Sequence, residues 1–387
     1  MAIHITPNTT TITDLTLHLQ MAKQAGPEQM EIRSTFFPAE WFPQSGVQLT
    51  WPHAHTDWAD LLPEVDDCFI RIALEILVRS EFLLIVTPEP DRIKALFHER
   101  IPSRLLCHVR YFECPTNDTW ARDHGFLTLI TESGPRLLDF CFNGWGNKFP
   151  ADLDNQINSR IAANPSIVHC PLSIEQFESH LDFVFEGGSI ESNGRGILMT
   201  TSECLLSPNR NPNLNRQQIE ERLLRYFHAE RVLWLDHGYL AGDDTDSHID
   251  TLARFCPNNI IAYVKCTDSS DEHYEALQAM EAQLQEIIVN CHLPIGRFQL
   301  LPLPLPSPIY DPDDGHRLPA TYANFFVING AVLMPTYGQP ENDELARTQL
   351  QKAFPRYDIV PIDCRVLIRQ HGSLHCSTMQ FPIGVLT

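Results

Sequence analysis

Near its carboxy terminus the chain reads Arg369-Gln-His-Gly-Ser-Leu-His-Cys376-Ser-Thr-Met-Gln-Phe-Pro382, which places one thiol beside an imidazole and shortly after Gly372. A cysteine in such a polar, turn-forming stretch is a candidate nucleophile. It reacts as thiolate, which needs a positive neighbour, a helix terminus or a cationic substrate. The plain alternative is a small buried hydrophobe, a reading that suits Cys68 and Cys291 better. A second concentration of chemistry is Leu240-Ala-Gly-Asp-Asp244-Thr-Asp-Ser-His248-Ile-Asp250, with four aspartates and a histidine between Asp243 and Asp250. His248 and Asp250 are two apart, so on extended backbone both face one side. There the carboxylate can orient the imidazole or share its substrate. A solvated acidic loop and a divalent-metal site compete with that reading. No second histidine stands at ligand spacing, and the run does not fit a D-x-D-x-D-G calcium loop, so a metal is disfavoured.

Two further clusters complete the set. In Thr116-Asn-Asp-Thr-Trp120-Ala-Arg-Asp123-His-Gly125, two carboxylates flank a tryptophan. An aromatic face with carboxylates suits a planar cation, and a Trp packed over an Arg–Asp pair is the structural alternative. In Phe185-Glu186-Gly-Gly-Ser-Ile-Glu-Ser-Asn-Gly-Arg-Gly196, glycines let backbone approach closely behind Glu186. This is neither G-x-G-x-x-G nor a Walker loop, so no dinucleotide or ATP motif is present. Together the clusters supply one thiol, one imidazole, several carboxylates and an aromatic ring, with no cofactor signature.

These residues need a scaffold. Helical periodicity is clearest over Val65–Val78, Leu153–Ala163, Leu214–Phe227, Tyr274–Val289 and Asp343–Phe354, with Asn213 and Asp271 as caps for the third and fourth. Between them lie strand-like runs at Phe82–Val86, Gly125–Ile130, Gly196–Thr201, Val232–Leu235, Ile260–Val264, Asn324–Leu333 and Ile359–Ile362. Helix starts recur about every 60–80 residues, which hints at five similar βα units. Residues 1–34 are polar and Thr-rich and read as an extension. From residue 35 to 387 no Gly/Ser or Pro-rich linker divides the chain, so one domain is expected.

Composition narrows the partners. Hydrophobic residues make up 43% and charged residues 20%, which suits a globular core. Lys+Arg 28 against Asp+Glu 49 gives a net charge of −21, which repels nucleic acid and anionic lipid and attracts small cations. The amino terminus lacks the basic and apolar regions of a secretory signal, and no apolar run is long enough to span a bilayer. The eleven cysteines are odd in number, scattered and without C-x-x-C, so reduced thiols in a cytoplasm are expected. Homo-oligomerisation is left open.

Several blocks then occur in a recognisable order: Pro38-Ala-Glu-Trp41, Thr50-Trp-Pro52 with Asp57-Trp58, Asn117-Asp-Thr-Trp-Ala-Arg-Asp123, Glu186-Gly-Gly188, Cys204-Leu-Leu with Asn209-Arg-Asn-Pro212, Asp243 through Asp250, Tyr322-Ala-Asn-Phe325 with Asn329, and His375-Cys376. In these the sequence resembles the agmatine deiminase / bacterial peptidylarginine deiminase family of the guanidine-modifying superfamily. The resemblance implies an α/β fold, a five-bladed pseudo-symmetric propeller of the pentein type, with no metal or organic cofactor. It implies Cys376 as nucleophile, His248 as general acid/base, and Asp123 and Asp250 as the carboxylates that grip a guanidinium. Glu186 would lie near the same centre, Asn324 would line the cleft, and Trp120 and Asp244 would face the far end of the substrate. The implied substrate is a small cationic guanidine, agmatine first, with a peptidyl or other arginine as the alternative and a metal-dependent hydrolase as a more distant one. Three departures from the family pattern stand out: His53-Ala-His-Thr-Asp57 where an arginine is usual, His371 in a normally glycine-rich lead to the nucleophile, and Ser247 where glycine usually precedes His248.

Overall fold

The chain folds as a mixed α/β structure in which short sheets, each with the same strand logic, carry helices between their strands. The computed structural model describes residues 34–164, 176–290 and 296–386. Residues 1–33, most of the expected extension, lie outside them.

Five sheets occur among the described residues. In the simplest, Ala253–Cys256 pairs antiparallel with Ile260–Lys265, the helix Tyr274–Asn290 follows, and Gln299–Pro304 returns parallel to the second strand. The same order repeats in Phe326–Ile328, Ala331–Thr336, helix Pro340–Ala353 and Asp358–Asp363. It repeats again in Glu191–Ser192, Ile197–Thr201, helix Arg216–Tyr226 and Arg231–Leu235. A four-stranded version runs Leu127–Thr131, Gly134–Cys141 and Phe177–Val184, with Thr35–Phe36 added at its edge. The last sheet joins the two ends of the chain. Thr378–Pro382 lies antiparallel to Gln44–Thr50, which is followed in parallel by Phe82–Thr87 and Val109–Glu113. A helix between two parallel strands is the short way to return the chain to the same sheet edge.

The helices form where apolar spacing gives them one buried stripe. In Leu62–Leu77, Val65, Phe69, Ile72, Ala73 and Ile76 are fully buried at i, i+4, i+7, i+8 and i+11, and Pro63 sits in the first turn where no amide partner is needed. The five expected helices are present, the second as a 3-10 turn Asp154–Gln156 running into Ile157–Ala162. Capping differs at the third. Asn215, not Asn213, accepts from the Gln218 amide, and Gln218 reciprocates to close a capping box. Asp271 spends its carboxylate on the His273 amide and ring one turn ahead of its helix. The single run expected over Asn324–Leu333 is two strands, because Gly330 (φ +75°) turns the chain back. The helix Pro90–Arg100 was not expected: only Ile93 and Phe97 are buried in it, too few to mark a periodicity.

Candidate active site

Chemistry-bearing side chains sit at one recurring place, the turn just ahead of the first antiparallel strand of each sheet. Asp123 precedes Leu127–Thr131, Glu186 and Gly188 precede Glu191–Ser192, and His248 and Asp250 precede Ala253–Cys256. Asn324 precedes Phe326–Ile328, and Cys376 precedes Thr378–Pro382. Three of these turns are single helical turns, Ala121–His124, Gly187–Ser189 and Ile249–Thr251, which hold each side chain on short, buried backbone.

The side chains converge. The Cys376 thiol lies 3.4 Å from Asn324 Nδ2, 3.5 Å from its Oδ1 and 4.0 Å from Asp250 Oδ2. Asn324 Oδ1 also accepts the His375 backbone amide at 2.9 Å, which fixes the turn that carries Cys376. His248 donates from Nε2 to Glu186 at 3.3 Å and turns Nδ1 towards Asp123 Oδ1 at 3.7 Å. Asp123 has a donor on each oxygen: the Gly188 amide at 2.9 Å on Oδ1 and the Trp145 indole N–H at 2.9 Å on Oδ2. A Cβ at Gly188 would fall 2.6 Å from His248 Nδ1, 2.8 Å from Asp123 Oδ1 and 3.2 Å from Asp250 Oδ2, so the residue must lack one. Among the buried atoms left without a protein partner are His248 Nδ1 and Asp250 Oδ1. Two such atoms in one site are donor and acceptor capacity held ready for something that enters it.

A cleft of about 450 Å³ opens over this group. Its walls are Cys376, Asp123, Trp120, Trp145, Phe149, Asp57, Asp118, Asp244, Thr245, Gln370, His371 and Gly372, with no lysine or arginine among them. Trp120 lies flat on Gly372, where any Cβ would sit within 2.3 Å of the ring. Asp118 accepts both the Trp58 and Trp120 indole N–H groups, at 3.0 and 3.1 Å, and sets the plane of those rings.

The charges are tuned by burial and by each other. Burial, then Asp250 and Asp123, push the Cys376 thiol well above its ordinary value. Burial alone would discharge His248, but Asp123 and contacts on its Cys204 and Glu186 side outweigh it, and the imidazolium is favoured well past the usual histidine range. Burial raises Asp123 even though the His248 charge opposes it. For Asp250 burial is overcome by the hydrogen bond and charge of His375, and the carboxyl is held low. Burial lifts Asp118 to about 6.

Behind the cleft, two buried arginines complete the arrangement. Arg210 donates from Nε to Glu186 at 2.8 Å, from Nη1 to Asp246 at 2.5 Å and from Nη2 to the Thr245 carbonyl at 2.8 Å. Arg254 binds Glu191, and its Nη2 donates to Glu40 at 2.9 Å. His375 reaches Asp250 from Nδ1 at 2.7 Å and Glu40 from Nε2 at 2.6 Å. Among the described residues, two donor sets have spacing that a metal ion could use, Glu186–Cys204–His248 and Glu40–Glu191–His375. In each, an arginine guanidinium already sits on the carboxylates.

All eight residues singled out from the sequence therefore lie in one neighbourhood. Cys376, Asp123, Trp120 and Asp244 face the cleft, while Asp250, Asn324 and His248 surround the thiol and the Asp123 carboxylate. Glu186 is fully buried, with its oxygens committed to Arg210 and His248. Of the three departures, His371 lines the cleft, whereas His53 is buried against Thr116. Ser247 (φ +62°) and His371 (φ +65°) both occupy left-handed backbone, the conformation for which glycine is the usual choice. Sequence reasoning did not single out Trp145, Asp57, Arg210, Arg254 or Glu40. Glu40, Asp57 and Arg210 stood within the family blocks without a role of their own, and Trp145 carried a local signal, since glycines on both sides of an aromatic permit a left-handed turn.

The Cys376 thiol and the Asp123 carboxylate face one acidic, aromatic cleft with His248 and Asp250 packed against them, a lining suited to a planar cation. The chain belongs to the Porphyromonas-type peptidyl-arginine deiminase family, whose model matches residues 36–382. A relative from Vibrio parahaemolyticus, named "putative agmatine deiminase", is 34% identical over 366 residues, which is 90% of this chain and 96% of the relative. Among solved structures, a cysteine-to-serine variant of C. jejuni agmatine deiminase with substrate bound superposes with a TM-score of 0.80 at 38% identity, covering 91% of this chain and 97% of that one. The agmatine deiminase of Enterococcus faecalis gives 0.76 at 27%, with 91% and 97% covered. The enzyme is a hydrolase acting on a guanidino C–N bond. No helix among the described residues is long and apolar enough to cross a membrane.

Proposed function

We propose that the enzyme deiminates agmatine, giving N-carbamoylputrescine and ammonia, with Cys376 as nucleophile and His248 as general acid and base. In this reading the five sheets are the blades of a pseudo-fivefold propeller, because each contributes its functional residue from the same turn. The observation that carries the substrate is the cleft wall. It offers Asp57, Asp118 and Asp244 with Trp120 and His371 and no lysine or arginine, a lining suited to the ammonium of agmatine. Free arginine, or arginine at the carboxy terminus of a peptide, would bring a carboxylate into that acidic wall, where like charges repel.

The chemistry follows from the charges. Asp123 and Asp250 accept the N–H groups of the guanidinium and set its plane, as paired charged hydrogen bonds do. Burial, then Asp250 and Asp123, hold the thiol neutral, and the bound cation offsets the two carboxylates, so substrate binding itself favours thiolate. The thiol gives up its proton to solvent, and the Cys376 sulfur bonds to the guanidinium carbon. His248 gives its proton to the departing nitrogen, the C–N bond breaks, ammonia leaves and a thiouronium remains. The now neutral His248 takes a proton from water, whose oxygen adds to the same carbon. The C–S bond breaks, the proton of the added hydroxyl passes to the departing sulfur, and the ureido product leaves. Asn324, Trp120 and Asp244 bind and align the substrate, and Glu186 holds His248. The free state of every described cysteine fits a reducing cytoplasm.

The test is ammonia and ureido product formation from agmatine, arginine and an arginyl peptide, for wild type and Cys376→Ala, with and without chelator. Agmatine preferred by wild type supports the reading. Arginyl peptide preferred transfers it to the alternative substrate, and loss of activity on chelation points to a metal hydrolase.

A further inference from the structure

The segment Asn143-Gly-Trp-Gly-Asn-Lys-Phe149 does something unusual with its backbone. Four consecutive residues are left-handed: Gly144 (φ +66°), Trp145 (+55°), Gly146 (+84°) and Asn147 (+64°). For tryptophan that conformation is uphill and persists only when its surroundings hold it. They do so here. Asn143 accepts the Gly146 amide at 2.9 Å and donates to the Asn209 carbonyl at 2.9 Å. Phe142 and Phe149 meet the indole edge-on, with ring centroids 5.1 and 5.6 Å away. Lys148 clamps the next turn through Asp246 at 2.6 Å. The effect is to bring a buried indole into the cleft wall with its N–H 2.9 Å from Asp123 Oδ2.

We infer that Trp145 is a positioning residue for the guanidinium-binding carboxylate: its N–H fixes the Asp123 oxygen that the Gly188 amide does not hold, and keeps that carboxylate aimed. This rests on the proposed role of Asp123. The groups that face Asp123 are His248, which favours its charge, Asp250 and Glu186, which oppose it, and the Cys376 thiol, whose own ionisation Asp123 opposes. Without the indole donor the balance among these groups shifts towards the protonated acid. A neutral Asp123 accepts the substrate cation poorly, so the loss appears mainly in KM and in the acidic limb of the pH profile.

The variant is Trp145→Phe, which keeps an aromatic ring and removes the donor. A lost hydrogen bond to a charged group corresponds to a fall in kcat/KM of about 10- to 100-fold. The acidic limb should move up by about one pH unit. A second readout does not need turnover: 13C NMR titration of labelled aspartate carboxyls, with the Asp123 signal assigned from Asp123→Asn. The Asp123 midpoint should rise in Trp145→Phe while the thermal midpoint of the protein changes little. An unchanged Asp123 titration in the folded variant overturns the inference, even if wild type deiminates agmatine. If wild type turns over no guanidine, the functional reading fails while the titration still decides the role of Trp145.

Discussion

Gly188→Ala adds one methyl group at the point where the site is tightest. The new carbon would stand 2.6 Å from His248 Nδ1 and 2.8 Å from Asp123 Oδ1, against ordinary contacts of about 3.5 Å. Neither neighbour has free room, since Asp123 is held by Trp145 and His248 by Glu186. The imidazole and the carboxylate must therefore part by roughly 0.5–1 Å, and a displacement of that size costs on the order of 100-fold in rate. Gly188 is not left-handed, so alanine brings no backbone strain, and overpacking should remove only about 1–3 kcal/mol of stability. The assay is initial-rate ammonia release from agmatine, giving kcat and KM, beside a thermal melt. A folded variant whose kcat stays within about threefold of wild type would refute the view that the three groups are set by contact with this glycine.

Replacing His248 by asparagine should lower kcat by about 10²- to 10⁴-fold, measured by the same assay. Asp123→Asn should leave the melt nearly unchanged and raise KM for agmatine strongly, because a charged pair becomes a neutral one. Asp118, lifted to about 6, recruits cations only when ionised, so KM for agmatine should rise as pH falls below about 6, and Asp118→Asn should flatten that dependence. Away from the site, Glu81 is buried and pushed up to about 7, with one carboxyl oxygen unpartnered. Its raised folded pKa means that the folded state holds the proton longer than the unfolded chain. Wild type should therefore lose stability relative to Glu81→Gln between about pH 4.5 and 7, by up to about 3 kcal/mol, and stay level above that. Chemical denaturation of both proteins across that range checks the sign.

Much of this was legible before any coordinates. The thiol at Cys376, the imidazole at His248 and the carboxylates at Asp123 and Asp250 stand in short polar motifs, where residue type and spacing alone suggest chemistry. Four of the five periodic helices appear nearly as read, because a buried stripe leaves a mark on the sequence. What stayed hidden depends on contacts across the chain. Arg254 is fully buried in a strand, yet its partners Glu40 and Glu191 lie 214 and 63 residues away. Arg210 stands in a family block, but its burial between Glu186 and Asp246, 24 and 36 residues away, leaves no local mark. The strand Gln44–Thr50 carries no clear alternation because it is buried between two neighbours in its sheet.

The most direct measurement is single-turnover mass spectrometry of the intact protein with agmatine, wild type against Cys376→Ala. A transient adduct confined to the peptide bearing Cys376, absent together with ammonia release in the alanine variant, is the expected result. Ammonia release that persists in Cys376→Ala, or an adduct on any other residue, would contradict the account.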